Sequence, residues 1–182
     1  MKVTTTAIEG LLIIEPRTFP DDRGFFFESY HKKKYEEAGI VANFVQDNQS
    51  LSHKGAIRGL HAQAPPFAQG KLVRVLQGRV MDVAVDVRIN SPTYGQHVTV
   101  ELTGENHLQF WIPEGFVHGF AVLEDNTVFS YKVTNFYDKA SEIGVIWNDP
   151  ELGIGWGMDT RNVVTSAKDE VLPALKDFIS PF

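Results

Sequence analysis

Met81-Asp82-Val83-Ala84-Val85-Asp86-Val87-Arg88-Ile89 places Met81, Val83, Val85, Val87 and Ile89 on one face and Asp82, Asp86 and Arg88 on the other. A period of two rich in β-branched residues predicts a strand, here one buried on a single face. The rule repeats on either side. Val98, Val100 and Leu102 alternate with His97, Thr99 and Glu101, and Leu108, Phe110 and Ile112 follow suit. Phe25–Tyr30, Lys71–Leu76, His118–Leu123, Thr127–Val133 and Val145–Trp147 also read as strands. Gln77-Gly78-Arg79 predicts a tight hairpin turn, and Thr103-Gly104-Glu105-Asn106 and Pro113-Glu114-Gly115 predict two more turns. Helix signals are confined to His31–Ala38, closed by Gly39, and to a segment from Ser166, a candidate N-cap, through Lys176, with Pro173 limiting it. Many short strands at close turn spacing predict a mainly β sandwich, jelly roll or small barrel. From Trp156 onward the chain reads as an irregular tail that returns to the body.

The length of 182 residues predicts a single domain, residues 1–182, and 43% hydrophobic content is enough for one core. No run of about 18 apolar residues occurs, so no transmembrane helix is expected. Met1-Lys2-Val3-Thr4-Thr5-Thr6 lacks the apolar core of a secretory signal, which makes the cytoplasm the expected compartment. There is no cysteine, hence no disulfide and no thiolate nucleophile or ligand. A formal charge of −6 argues against a nucleic-acid or anionic-membrane surface, while leaving room for a locally basic pocket.

The chemistry concentrates between Arg58 and Arg74, where His61 stands between Arg58 and Lys71. Histidine titrates near neutrality, arginine matches phosphate with its planar fork, and lysine can stabilise a developing oxyanion. His118 opens an apolar strand with Phe120 and Val122, whereas His31, His53, His97 and His107 sit among polar residues. A divalent metal site is disfavoured, because Ala62 and Gln63 follow His61 where a second histidine would be needed, and no carboxylate comes before Asp82. Tyr131 shares a face with Phe129 and Val133, as either a core tyrosine or an interior proton donor. Asp169 is an ordinary first-turn carboxylate unless it touches His61, in which case it would fix the imidazole tautomer and raise its basicity. Arg23, Arg58 and Lys168 are candidate phosphate ligands that could equally be surface ions.

Taken together the motifs resemble the dTDP-4-dehydrorhamnose 3,5-epimerase family. The resemblance rests on Pro20-Asp21-Asp22-Arg23-Gly24-Phe25-Phe26-Phe27-Glu28-Ser29, Phe44-Val45-Gln46-Asp47-Asn48, Arg58-Gly59-Leu60-His61 and Gln69-Gly70-Lys71-Leu72-Val73-Arg74. It continues through Pro113–Phe120, Tyr131-Lys132, Asp149-Pro150 and Ser166-Ala167-Lys168-Asp169. It implies a homodimeric jelly roll of cupin type, acting on a nucleotide-linked 4-keto-6-deoxy sugar without metal or cofactor. By the same resemblance His61 is the base, paired with Asp169, Tyr131 is the acid on the other ring face, and Lys71 lies near the C4 oxygen. Arg23, Glu28, Gln46, Asn48, Arg58, His118, Glu142 and Lys168 fall at substrate contacts, and Tyr137 at an aromatic that stacks on thymine.

The chemistry fits those residue types. Protons on C3 and C5 are both α to the C4 ketone, and inversion needs groups on both faces of the ring. The presence of Tyr131 thus favours double epimerisation over inversion at C3 alone. A different nucleotide, a metal-dependent cupin oxygenase or isomerase, and a non-catalytic sugar-nucleotide binding module are the other readings. Two expectations concern the geometry of the strand that carries His61. Ala62 stands where the family usually has an aromatic residue, which would reshape the pocket beside the base. Strict alternation puts Arg58 and His61 on opposite faces, so both reach one pocket only if the strand bulges near Gly59.

Overall fold

The computed structural model describes residues 1–182. Its strands are β1 (Lys2–Thr5), β2 (Leu12–Glu15), β3 (Thr18–Asp21), β4 (Gly24–Phe27), β5 (Gln46–Ser52), β6 (Ile57–Gln63) and β7 (Lys71–Gln77). There follow β8 (Arg79–Asp86), β9 (His97–Thr103), β10 (Gln109–Ile112), β11 (Phe116–Val122), β12 (Thr127–Val133) and β13 (Glu142–Gly144). A single short helix, α1 (Lys32–Glu37), matches the segment expected before Gly39.

Two antiparallel sheets face each other, one ordered β1-β2-β10-β7-β12-β5 and the other β13-β6-β11-β8-β9, with β3 and β4 forming a separate two-stranded ribbon. The main core lies between the sheets. Val73, Val75, Phe110, Ile112 and Phe129 point inward from one, and Val80, Ala84, Val100, Leu102, Phe116, Phe120 and Val122 from the other. This mainly β arrangement falls within the sandwich, jelly roll or small barrel that the strand pattern predicted, and matches the jelly roll that the family resemblance implied. No helix is long and apolar enough to cross a membrane.

Three expectations need correction. First, β8 is buried on both faces. Val83, Val85 and Val87 pack beneath the C-terminal tail with Leu152 and Trp156, while Asp82 lies on the inner face beside Val80 and Ala84. Asp82 and Asp86 are both 0% exposed, so the alternation separates two interiors rather than core from water. Asp86 is reconciled to burial locally. Burial works to raise its pKa, but hydrogen bonds from Arg88, Ser91 and Thr93 prevail and hold it at about 2.

Second, Gln77-Gly78-Arg79 is no hairpin, because β7 and β8 belong to different sheets. The turn carries the chain across the sandwich, at φ +81°, where a Cβ on Gly78 would come within 2.3 Å of Thr127 Oγ1. Third, the segment after Ser166 forms only short 3₁₀ turns, Asp169–Val171 and Leu175–Asp177. Pro173 and the pull of the tail onto the outer face of β8 break it, although Ser166 Oγ does accept the Asp169 N–H at 3.2 Å. Smaller differences concern strand ends. The strand expected to reach Tyr30 ends at Phe27, and the one expected at Val145–Trp147 is Glu142–Gly144.

Candidate active site

A cavity of about 690 Å³ opens between the two sheets, and β5, β6, β7, β11, β12 and the C-terminal tail all contribute to its walls. His61 and His118 are Cα partners across the β6–β11 pair. From Arg58 to His61 the β6 strand advances three residues while β11 advances two, from Phe120 to His118. That single extra residue is the bulge. It turns Arg58 and His61 to the same side, and both line the cavity. Gly59 makes the bulge possible, since at φ +118° a Cβ there would lie 2.5 Å from Gly119 Cα.

His61 Nε2 lies 2.8 Å from Asp169 Oδ1. The other carboxylate oxygen accepts the Gly59 N–H at 3.3 Å, and Asp169 is only 3% exposed. Burial would raise the Asp169 pKa, but the hydrogen bond and charge of His61, with Gly59 and Ser166, hold it below the usual value. An ionised carboxylate only accepts, so His61 carries its proton on Nε2 and leaves Nδ1 with a free lone pair. The tail segment is thus what makes an imidazole on β6 into a proton acceptor with a fixed tautomer.

Lys71 enters from β7 on the opposite sheet, and its Nζ donates to the His61 carbonyl at 3.2 Å. Burial lowers its pKa to about 8, against the opposing pull of Asp82 and Glu142. Tyr131 projects from β12 on the same face as Phe129. Burial raises its pKa, partly offset by the charge of Arg58 and by the Asn48 side chain, so it stays a phenol near neutrality. At the closed end His118 Nε2 meets both oxygens of Asp82 at 3.0 Å. The Phe120 and Phe129 rings stack at 4.0 Å and give the floor an apolar surface.

The mouth is polar. Glu142 bonds both Lys168 and the Tyr137 hydroxyl. Burial would raise the Glu142 pKa, but Lys168, His61 and Tyr137 together keep it low. Arg58 Nε donates to Ser52 Oγ at 3.0 Å, which aims the guanidinium. Gln46 and Asn48 sit on β5 next to this mouth but do not line the cavity; they are joined by a 2.8 Å hydrogen bond, and Gln46 Oε1 accepts the Tyr137 N–H at 3.3 Å. Arg23 and Glu28 stand apart. They are exposed on and just after the β3–β4 ribbon, paired with Asp21 and Lys34, and do not line the cavity.

Ala62 requires correction. Its side chain points away from His61 into the core beneath the tail, opposite Ile143, and does not line the cavity. No three His, Asp or Glu side chains converge as a metal site would require, because each interior histidine is committed to one aspartate. Sequence reading missed Asp82 and Ser52 as partners of pocket residues. An acid at the same parity as Val80 and Ala84 in a nearly unbroken apolar run was the available signal for Asp82.

The family model described as dTDP-4-dehydrorhamnose 3,5-epimerase matches residues 5–177. A dTDP-4-dehydrorhamnose 3,5-epimerase of Shigella flexneri is 53% identical over 170 residues, 93% of each chain. The crystal structure of a 3,5-epimerase from Legionella pneumophila, in complex with dTDP-4-keto-L-rhamnose, superposes with a TM-score of 0.94 at 50% identity, covering 98% of this chain and 94% of that one. A 3'-monoepimerase from Streptomyces bikiniensis, solved with dTDP as a double mutant lacking a histidine and a tyrosine, gives 0.88 at 32% identity over 94% of this chain and 86% of that one. The chain belongs to the dTDP-4-dehydrorhamnose 3,5-epimerase family.

Proposed function

We propose that the cavity epimerises dTDP-4-dehydro-6-deoxy-D-glucose at C3 and C5 to give dTDP-4-dehydro-L-rhamnose, a step of dTDP-L-rhamnose formation. The observation that carries this reading is the placement of His61 and Tyr131 on opposing sheets of one cavity, with Lys71 lining it from the sheet of Tyr131 and reaching the His61 carbonyl. Nδ1 of His61 removes the proton α to the C4 ketone. The electron pair moves onto the C4 oxygen, where the Lys71 ammonium supplies the counter-charge in a site screened from water. Tyr131 returns a proton to the same carbon from the opposite face, which inverts the centre. Each inversion leaves His61 protonated and Tyr131 ionised; His61 releases its proton to solvent and Tyr131 takes one back, which restores both groups with no net oxidation.

Arg58 and Lys168 are suited to hold the pyrophosphate against the acidic overall charge, with Gln46, Asn48, Glu142 and the exposed ring of Tyr137 around the nucleotide. The double inversion rests on the 3,5-epimerase relatives at 53% and 50% identity. A tyrosine also belongs to the 3'-monoepimerase, so Tyr131 alone does not separate the two outcomes.

The working unit in this reading is a homodimer in the cytoplasm. Within one chain Arg23 and Glu28 do not reach the cavity, and their ribbon exposes Phe25 at 59% and Phe26 at 66%. A second copy that buries this ribbon would bring both side chains to its own cavity's mouth. Sedimentation of the purified chain tests the dimer, and cell fractionation tests the compartment. The decisive experiment is NMR of the substrate incubated with enzyme in D₂O, with C3 and C5 followed separately. Deuterium at both carbons with inversion at both is the expected result. Exchange and inversion at C3 alone would select the monoepimerase reading, and no exchange would leave only binding.

A further inference from the structure

One buried acid is left without a role in the chemistry described so far. Asp82 lies in the middle of β8, 0% exposed, with Val80, Ala84 and Phe120 among its inward-facing neighbours. Its hydrogen bonds go to a single group, the His118 Nε2, at 3.0 Å to each oxygen. A carboxylate enclosed by apolar side chains is unfavourable unless something holds its charge, and an apolar residue of similar volume would serve the core at least as well. Its retention therefore points to the cavity rather than to the core.

The geometry states what it does there. Because an ionised carboxylate cannot donate, the proton between Asp82 and His118 belongs to Nε2. His118 lines the cavity, and its Nδ1 has no hydrogen bond within the protein, yet it is not enclosed. That atom is therefore open to the cavity that His118 lines. We propose that Asp82 is a positioning residue for the reaction: through Nε2 it locks His118 so that Nδ1 offers a lone pair to a ring hydroxyl.

The arrangement repeats the His61–Asp169 pair on the neighbouring strand, so two imidazoles present Nδ1 to one cavity. In the proposed reaction His61 is the base and His118 orients the ring. The groups facing Lys71 are Asp82 and Glu142, which favour its charge, and His118 and His61 stand close enough to interact with each other and, in the case of His118, with Lys71. Burial pushes the His118 pKa down, the Asp82 charge pulls it up, and Lys71 and His61 press it down further. The outcome is a neutral ring beside a charged lysine.

This inference rests on the epimerase reading, and the experiment keeps the two apart. Wild-type enzyme is assayed first by deuterium exchange, since failure there overturns the reading of the reaction itself. In an active preparation Asp82→Asn, which preserves shape, should lower kcat by roughly 10- to 100-fold with KM changed less than threefold. It should also move the alkaline fall of kcat/KM to lower pH, because the carboxylate that favoured the Lys71 ammonium is gone. A merely structural role would alter the melting temperature without moving the pH profile. An unchanged kcat and pH profile in folded Asp82→Asn overturns the proposal. Should that variant not fold, ¹⁵N-histidine NMR of the wild type decides, with His118 assigned by its loss in His118→Gln. Protonated Nε2 and bare Nδ1 are expected, and a proton on Nδ1 alone refutes the assignment.

Discussion

Lys71 offers the sharpest test, because activity and stability should respond to it with opposite signs. In the proposed reaction its ammonium supplies the counter-charge to the developing C4 oxyanion, and burial places its pKa at about 8 rather than the usual 10.5. If the charged form is required, kcat/KM, which reports the free enzyme, falls about tenfold per pH unit above that value. Roughly half the activity remains near pH 8, and about a tenth near pH 9. Tyr131 does not confuse the reading, because burial raises its pKa above the usual phenol value. Stability moves the other way. A lysine whose folded pKa is depressed disfavours the fold while protonated, so this contribution relaxes as pH rises from about 8 to 10.5, where the unfolded chain still binds the proton.

Lys71→Met puts a magnitude on both effects. The drop from 10.5 to about 8 corresponds to at most about 3 kcal/mol of unfavourable burial at neutral pH. Loss of the bond to the His61 carbonyl returns about 1 kcal/mol of it. A net gain of about 2 kcal/mol should raise the melting midpoint by roughly 4–8 °C, while loss of the oxyanion partner lowers kcat by roughly 10²–10³-fold. Stopped assays of C3 and C5 inversion from pH 6 to 10, with calorimetry on both proteins, read all of this. A wild-type profile flat to pH 9.5, or a methionine variant that keeps activity within tenfold or melts lower, would refute the reasoning.

Three further outcomes follow from the same geometry. Asp169→Asn leaves the His61 tautomer unfixed and should cost about 10⁴-fold in kcat, by analogy with loss of the orienting carboxylate in other His–Asp pairs; steady-state kinetics with KM near its original value is the check. Tyr131→Phe should keep solvent exchange of the ring protons, which His61 drives, but lose most net inversion at C5, so unchanged C5 inversion by NMR would sink the acid assignment. Gly59→Ala forces a Cβ to within 2.5 Å of Gly119 Cα at φ +118°, so it should lower the melting midpoint by at least about 4 °C and separate Arg58 from His61. Retained substrate affinity in that variant would show that the bulge does not unite them.

Much of this was legible in the sequence, and the exceptions share a cause. Period-two alternation located β7, β8, β9, β11 and β12 because each strand has a distinct neighbour on either face. What alternation cannot state is whether the second face meets water or another layer. For β8 it meets both sheets' core and the tail, so Asp82 and Asp86 read as solvent-facing when they are fully buried. Glycine turns were visible at Gly78 and Gly115, yet a turn between strands of one sheet and a turn between sheets look alike in sequence, and only the strand order distinguishes them. The His61–Asp169 contact joins residues 108 positions apart. No local signal could have found it, and the resemblance to a family supplied it instead.

Ala62 and Gly59 show how the same local sequence can mislead and inform. Both flank the stretch that carries His61, and a regular strand would turn Arg58 and Ala62 to one face and His61 to the other. The extra residue in β6 reverses this for Arg58 but not for Ala62, because the bulge lies between Arg58 and His61 and regular pairing with β13 resumes at His61. A missing aromatic at Ala62 is therefore absorbed beneath the tail, where it can affect the site only by shifting the backbone of β6. Gly59 has no such freedom. Its Cα packs against Gly119 so closely that neither position admits a side chain, and the two strands meet there backbone to backbone. That contact is what lets Arg58 and His61, three residues apart and proposed as phosphate ligand and base, open into the same cavity.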